Sequence, residues 1–140
     1  MKIIRLNMED DNERVNDFIN EAFTDYAIKN EVALNFEEYC FIAEDDTGRV
    51  IGSITGRAYY NEVHIGDLII DKDHRRLNLG SELVKTVEQA YENKGYDKIT
   101  LTTFGFQAPE FYKKLGYQLE FVREDKNPKL CKYFYCKSLG

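Results

Sequence analysis

The chain has 140 residues, a length that fits one domain spanning residues 1–140, and its 43% hydrophobic and 14% aromatic content excludes a disordered tail or linker. A net charge of −6 argues against a nucleic-acid binder, which must neutralise phosphates, and no apolar run approaches the length of a membrane span. The opening MKIIRLNMEDD turns acidic too early for a secretory signal, so a cytoplasmic protein is expected. Cys40, Cys131 and Cys136 lack metal-ligand spacing and read as reduced thiols. His64 and His74 are the only histidines, and with no CxxC or HExxH motif no metal site is expected.

Lys2–Asn7 (KIIRLN) predicts a first strand. Asp10 or Asp11 is then a candidate cap for a helix in which Val15, Phe18, Ile19, Ala22 and Phe23 recur at helical spacing. A short helical piece is expected near Phe36–Tyr39. Cys40–Glu44, Arg49–Tyr60 and Glu62–Asp71 follow as three strands separated by DDTG and by Asn61, which makes an antiparallel meander. Leu79, Leu83, Val84, Val87, Ala90 and Tyr91 then share one helical face, and Gly95 ends that helix. Lys98–Thr103 (KITLTT) is a strand, so the meander's last strand, this helix and KITLTT form a right-handed crossover. A short helix over Pro109–Leu115 ends at Gly116, and Tyr117–Arg123 and Tyr133–Lys137 are the last two strands. The expected fold class is α/β, an α+β mixed sheet in the order strand–helix–strand–strand–strand–helix–strand–helix–strand–strand, with helices on both faces. The alternating KYFYCKSL offers two readings: an exposed aromatic edge that pairs with a second copy to give a homodimer, or an ordinary buried strand.

One turn carries chemistry. Asp71–Val84 (DKDHRRLNLGSELV) leads from a strand into a helix. The first N–H groups of a helix lack intrahelical partners, and the helix dipole adds positive charge there, so an anion fits the place. Gly80 lets backbone approach a ligand closely, and Arg75 and Arg76 add planar donors for phosphate oxygens. The stretch is neither a P-loop nor a dinucleotide fingerprint, because neither the Gly-Lys-Ser/Thr nor the G-x-G-x-x-G is present. Taken alone it reads equally as a solvated basic turn.

The second segment is Thr102–Tyr117, TTFGFQAPEFYKKLGY. Together the two resemble the GNAT superfamily of acyl-CoA-dependent N-acetyltransferases. Arg75, Arg76, Leu77, Asn78, Leu79 and Gly80 correspond to that family's Arg/Gln-x-x-Gly-x-Gly/Ala loop. Ala108, Phe111, Tyr112, Gly116 and Tyr117 correspond to its later Ala-x-x-Phe-Tyr-x-x-x-Gly-Phe/Tyr pattern, and the FQAPEFYKKLGY wording is similar to one bacterial branch of small acetyltransferases. Two positions depart. Asn78 stands where the family has its first loop glycine, although Asn tolerates left-handed φ. Gly105 stands where an Asn is often found, with Gln107 as a candidate replacement.

The resemblance implies acetyl-CoA as cosubstrate, an amine acceptor and direct attack in a ternary complex. It implies that Arg75–Ser81, which adds Ser81 to the loop, holds the pyrophosphate, and that Leu68, Ile69 and Ile70 pair with the pantetheine arm and offer an N–H to the thioester oxygen. Tyr112 takes the family's usual acid position. Glu62, His64 and Asp67 are candidate bases, as is water, with Glu62 and His64 on one strand face and Asp67 on the other. The N-terminal helix, the Phe23–Tyr39 region and the Arg57–Asn61 turn would line the acceptor side. Glu31, Glu37 and Glu38 there attract a cation or are simply solvated, and Tyr26, Tyr39, Tyr59 and Tyr60 form an aromatic wall or pack. A non-catalytic acyl-CoA-binding regulatory module and a structural domain without CoA affinity are the competing readings. The acceptor itself is not legible.

Overall fold

The computed structural model describes every residue of the chain except Met8, Asp11, Arg76 and Leu77. These residues form two compact units, Met1–Leu34 and Asn35–Gly140.

In the first unit the predicted helix runs as α1, Glu13–Lys29. Glu13 in its first turn and Lys29 in its last suit the helix dipole. Asn12 rather than Asp10 stands at the N-cap, and Asp11 lies outside the described residues. The predicted first strand, Lys2–Asn7, does not form. Apolar and β-branched residues supply propensity, but a strand exists only where another strand pairs with it. Here the Asn7 carbonyl instead accepts the Asp10 N–H and the Asn12 amide in a local turn.

The second unit is built on a mixed sheet of six strands, one fewer than expected. The strands are β1 Glu37–Glu44, β2 Val50–Tyr59, β3 Glu62–Ile70, β4 Lys98–Phe104, β5 Gln118–Arg123 and β6 Lys132–Ser138, in the spatial order β1-β2-β3-β4-β6-β5. The helical piece expected at Phe36–Tyr39 is strand instead, because Glu37–Tyr39 pair with Gly56–Ala58 of β2 and that ladder overrides local preference. The DDTG turn closes as its chemistry requires. The Asp45 carboxylate accepts from the N–H groups of Thr47 and Arg49 and from the Thr47 hydroxyl, and Gly48 takes φ +84°. At the second turn Tyr60 adopts φ +51°, a left-handed conformation that is costly for an aromatic residue. The Asn35 side chain stabilises it by bonding both the N–H and the C=O of Tyr60.

The crossover from β3 through α2, Leu79–Tyr91, to β4 is present and the two strands are parallel. Leu83, Val84, Val87 and Tyr91 of α2 pack on Ile54, Val63, Ile65, Ile99 and Leu101 of the sheet, and none of these is more than 5% exposed. Each aliphatic side chain so buried contributes about 1.5–3 kcal/mol relative to exposure. The short helix α3, Glu110–Lys114, adds Phe111 and Tyr112 to the same core, so within this unit α2 and α3 share one face of the sheet. Gly116, at φ +93°, ends α3. Behind it Lys137 bonds the Leu115 carbonyl at 2.9 Å and Glu88 of α2 at 3.0 Å, and Glu88 also accepts the Tyr117 hydroxyl. That cluster ties the end of α3 to α2 and to β6. The KYFYCKSL strand is not an edge. It lies between β4 and β5, and β5 is the outer strand, so the premise for dimerisation through that segment fails.

Candidate functional site

The parallel strands β3 and β4 pair only from Glu62↔Lys98 to Ile65↔Leu101. Beyond that point β3 stays paired to β2 as far as Ile70↔Gly52, and β4 to β6 as far as Phe104↔Lys132. The facing edges of Gly66–Ile70 and Thr102–Phe104 therefore part and carry no ladder. An extended, amide-bearing ligand can pair with such an edge as an added strand. The predicted pantetheine segment, Leu68, Ile69 and Ile70, lies on it.

The parting coincides with a bulge. Thr55 pairs with Asp67 and the next residue, Gly56, with Ile65, which leaves Gly66 as the extra residue. One extra residue reverses the alternation of side chains beyond it. Val63 and Ile65 face the core before the bulge, and Leu68 and Ile70 face it after. Asp67 and Ile69 consequently join Glu62 and His64 on the opposite face. This corrects the expectation that Asp67 lies across the strand from His64, since a bulge cannot be read from a single strand's pattern. Gly56 is required here. A Cβ at this position would land on the His64 carbonyl oxygen and the Tyr39 hydroxyl. Tyr39, 9% exposed, passes its hydroxyl over Gly56 to donate to the His64 carbonyl at 3.0 Å.

The arginine–glycine loop leads to the N-terminus of α2. Asn78 is the N-cap at φ +58°, ψ +20°, so Asn holds the left-handed turn for which the family pattern uses glycine. Its side chain makes no cap hydrogen bond and so does not compete with an anion for the first-turn N–H groups of Leu79, Gly80 and Ser81. A Cβ on Gly80 would stand 3.3 Å from the Phe111 ring, so this glycine also makes room for α3. The Leu79 side chain packs into the core. Upstream, Asp71 bonds the His74 ring at 2.8 Å and Arg49 at 3.2 Å, and these contacts hold its carboxyl below the usual carboxylate range. Arg75 directs Nε to the Ile70 carbonyl at 3.4 Å, at the open end of β3. The predicted loop residues Arg76 and Leu77 lie outside the described residues.

Tyr112 is 8% exposed, with its ring against Phe111, Tyr117 and Tyr135. Among the described residues its hydroxyl has no hydrogen-bond partner, yet the oxygen is not a sealed-off polar atom. Burial pushes the phenol up to about 12. Gly105 has its own reason to be glycine, because a Cβ there would collide with the Pro128 carbonyl oxygen. Gln107 is engaged locally, accepting the Phe104 N–H at 3.0 Å.

On the other face of the sheet a groove of about 570 Å³ is lined by Glu38, Cys40, Thr55, Arg57 and His64, with Gly56, Gly66 and Tyr39 at its floor. His64 Nδ1 lies 2.9 Å from the Thr100 hydroxyl, and that hydroxyl donates to Glu62 at 2.7 Å. Burial and the nearby Arg57 guanidinium lower the His64 pKa, with Lys132 adding to the effect and Glu62 opposing it. Thr100 and Gly56 were missed by sequence reasoning. KITLTT shows that Thr100 faces away from the core, but not that β4 lies beside β3 in the register that pairs it with His64. Among the residues expected on the acceptor side, Glu37 accepts the Tyr91 hydroxyl, Tyr59 and Tyr60 pack edge to face, and Tyr26 and Glu31 belong to the first unit.

Comparison with known proteins agrees with this geometry. The sequence model of the "Acetyltransferase (GNAT) family" matches residues 2–117. Blasticidin-S acetyltransferase of Streptomyces morookaense is 31% identical over 104 residues, which cover 74% of this chain and 76% of that protein. The crystal structure of an acetyltransferase from Bacillus cereus superposes with a TM-score of 0.77 at 31% identity, covering 95% of this chain and 97% of that one. An aminoglycoside 6'-N-acetyltransferase complexed with coenzyme A shares the fold, with a TM-score of 0.63 at 20% identity over 74% of this chain and 73% of its own.

Proposed function

This chain belongs to the acetyltransferase (GNAT) family and is an acyl-CoA-dependent acetyltransferase, and from that premise we propose that it transfers the acetyl group of acetyl-CoA to a primary amine by direct attack, with both substrates bound. The observation that carries the proposal is the unpaired edge where β3 and β4 part, beside an α2 N-terminus whose N-cap side chain, Asn78, makes no cap hydrogen bond. The edge suits the pantetheine amides along Leu68–Ile70. The N–H groups of Leu79, Gly80 and Ser81, with Asn78 at the N-cap and Arg75 upstream, suit the pyrophosphate, and Arg76 and Leu77 are assigned to it from the motif alone. Tyr112 is the acid in this reading. Its side chain shares the α2 face with Tyr135, whereas His64 lies on the opposite face, so the parted edges lie between a donor for the departing sulfur and the acceptor groove.

Residues 1–140 act as one acetyltransferase domain in this proposal, supported by a family match that runs across both compact units. The cysteines Cys40, Cys131 and Cys136 are free, which supports a reducing, cytoplasmic setting, and no helix among the described residues is long and apolar enough to cross a membrane. Relatives named for blasticidin S and for aminoglycosides support amines as the acceptor class.

Calorimetric titration of acetyl-CoA tests the cradle. Micromolar binding is expected in the wild type, and Asn78→Asp should weaken it by about 10-fold, ~1.4 kcal/mol, because a carboxylate at the helix mouth repels the pyrophosphate while Asp keeps left-handed tolerance. A panel of blasticidin S, an aminoglycoside and an Ala-terminated peptide then tests transfer. Absence of acetyl-CoA binding by the wild type would overturn the proposal.

A further inference from the structure

We infer that His64 is the base that takes the proton from the acceptor amine, and that Thr100 and Glu62 are positioning residues that present its Nε2 to the groove. The inference rests on the acetyl-transfer reading and deepens it.

Hydrogen-bond direction decides the tautomer. The Glu62 carboxylate only accepts, so the Thr100 hydroxyl gives it its single proton at 2.7 Å. The hydroxyl oxygen is then left as an acceptor for His64 at 2.9 Å, and the proton between them belongs to Nδ1. Nε2 is the nitrogen with the free lone pair. Three elements hold this arrangement. Glu62 and His64 are two apart on β3 and share a face, and the β3–β4 register sets Thr100 directly beside His64. The ring lines the groove, one residue before β3 and β4 part. Thioester and amine therefore meet at the place where the relay ends.

The charged and titratable groups on this face are Glu38 and Cys40 from β1, Arg57 from β2, Glu62 and, beyond the bulge, Asp67 from β3 itself, and Lys132 and Cys136, the latter beside Thr100, from β6. Arg57 and Lys132 disfavour the imidazolium, and burial does so more strongly. The ring is thus neutral and able to accept a proton at neutral pH. The acceptor reacts as its neutral amine, the ammonium proton having gone to solvent: the nitrogen's lone pair forms the C–N bond, the C–S bond breaks with its electrons to sulfur, and the remaining N–H proton passes to His64 Nε2. The Tyr112 hydroxyl stabilises the thiolate, which takes a proton from solvent, and the proton on His64 returns to solvent. The products are the amide and free coenzyme A.

Long-range ¹H–¹⁵N spectra resolve the question directly, because the chain has only His64 and His74. At pH 7 the wild-type His64 signal should show a neutral ring protonated at Nδ1. Thr100→Val should abolish that preference and lower kcat about 10-fold to 100-fold with the fastest amine of the panel, with KM little changed, and Thr100→Ser should restore both. Glu62→Gln keeps an acceptor but removes the charge that raises the His64 pKa, so the acidic limb of kcat/KM should move to lower pH. A packing role alone would not shift that limb. Acetyl-CoA is titrated into the same samples. Binding with His64 protonated at Nε2, or with rate and limb unmoved in both variants, would overturn this inference and leave acetyl transfer standing. No binding and no turnover would overturn the acetyl-transfer reading and the base assignment with it.

Discussion

Gly56→Ala is expected to destabilise the protein by about 3 kcal/mol or more, at the upper end of what overpacking costs. The added Cβ falls on the His64 carbonyl oxygen and the Tyr39 hydroxyl, and one of those is backbone that cannot rotate away. Relief requires either β2 and β3 to separate at the bulge or Tyr39 to leave a position where it is 9% exposed and packed against Tyr91. Urea unfolding measures the loss as a lower midpoint at unchanged slope. Tyr39→Phe in the same series should cost only about 1 kcal/mol, the value of one hydrogen bond. An alanine variant as stable as the wild type would mean that the bulge is not built around this glycine. The effect bears on function because the bulge at Gly66, opposite Gly56, turns Asp67 onto the His64 face and precedes the parted edge.

Tyr112→Phe is expected to lower kcat about 100-fold, within the range for loss of a positioned acid, while leaving acetyl-CoA affinity within about twofold. Stability should change by less than about 1 kcal/mol, since the hydroxyl makes no bond among the described residues whose loss would be felt. The pH profile follows from the direction of the shift. Burial raises the phenol to about 12, so it stays protonated throughout the working range and contributes no alkaline limb below about pH 11. A thiol titrates near 8.5, so complete transfer from such a phenol to a thiolate is uphill by roughly 3–4 units. In the proposed reaction Tyr112 would therefore act chiefly by donating a hydrogen bond as charge builds on sulfur, with solvent completing the protonation. A measured kcat within threefold of wild type would remove it from the chemistry and return it to the core. A parallel loss of acetyl-CoA affinity would make it a binding residue instead.

Gly80 and Gly105 each have a steric reason to be glycine that the motifs do not contain. Gly80 was expected to be glycine because a ligand approaches the backbone. Its missing Cβ also makes room for the Phe111 ring, which belongs to the second motif some thirty residues later. Gly105 departs from the family pattern, and the structure supplies the reason: the 128–130 turn crosses over it and leaves no space for a side chain. Asn78 stands where the family pattern has glycine and itself takes the left-handed conformation, because αL is open to Asn. The two glycine contacts are made between segments distant along the chain, and no local pattern records them.

What the sequence determined by itself is whatever depends on near neighbours. The 3.6-residue spacing from Leu79 to Tyr91 specifies α2, the alternation in KITLTT specifies β4, and DDTG specifies its turn. The order of these elements, with the two spaced motifs, was enough to identify the family and to point to Tyr112 and the α2 N-terminus. What only the tertiary structure decided is whatever depends on pairing. Lys2–Asn7 has strand propensity but pairs with no strand of the sheet, whereas Glu37–Tyr39 become strand because β2 lies alongside them. The insertion of β6 between β4 and β5 removes the edge that its alternation suggested. Register places Thr100 against His64, and one extra residue at Gly66 reverses which side chains face the groove. Register and bulges arise from hydrogen bonds between segments far apart in sequence, so the residues that orient the proposed base became visible only once the strands lay side by side.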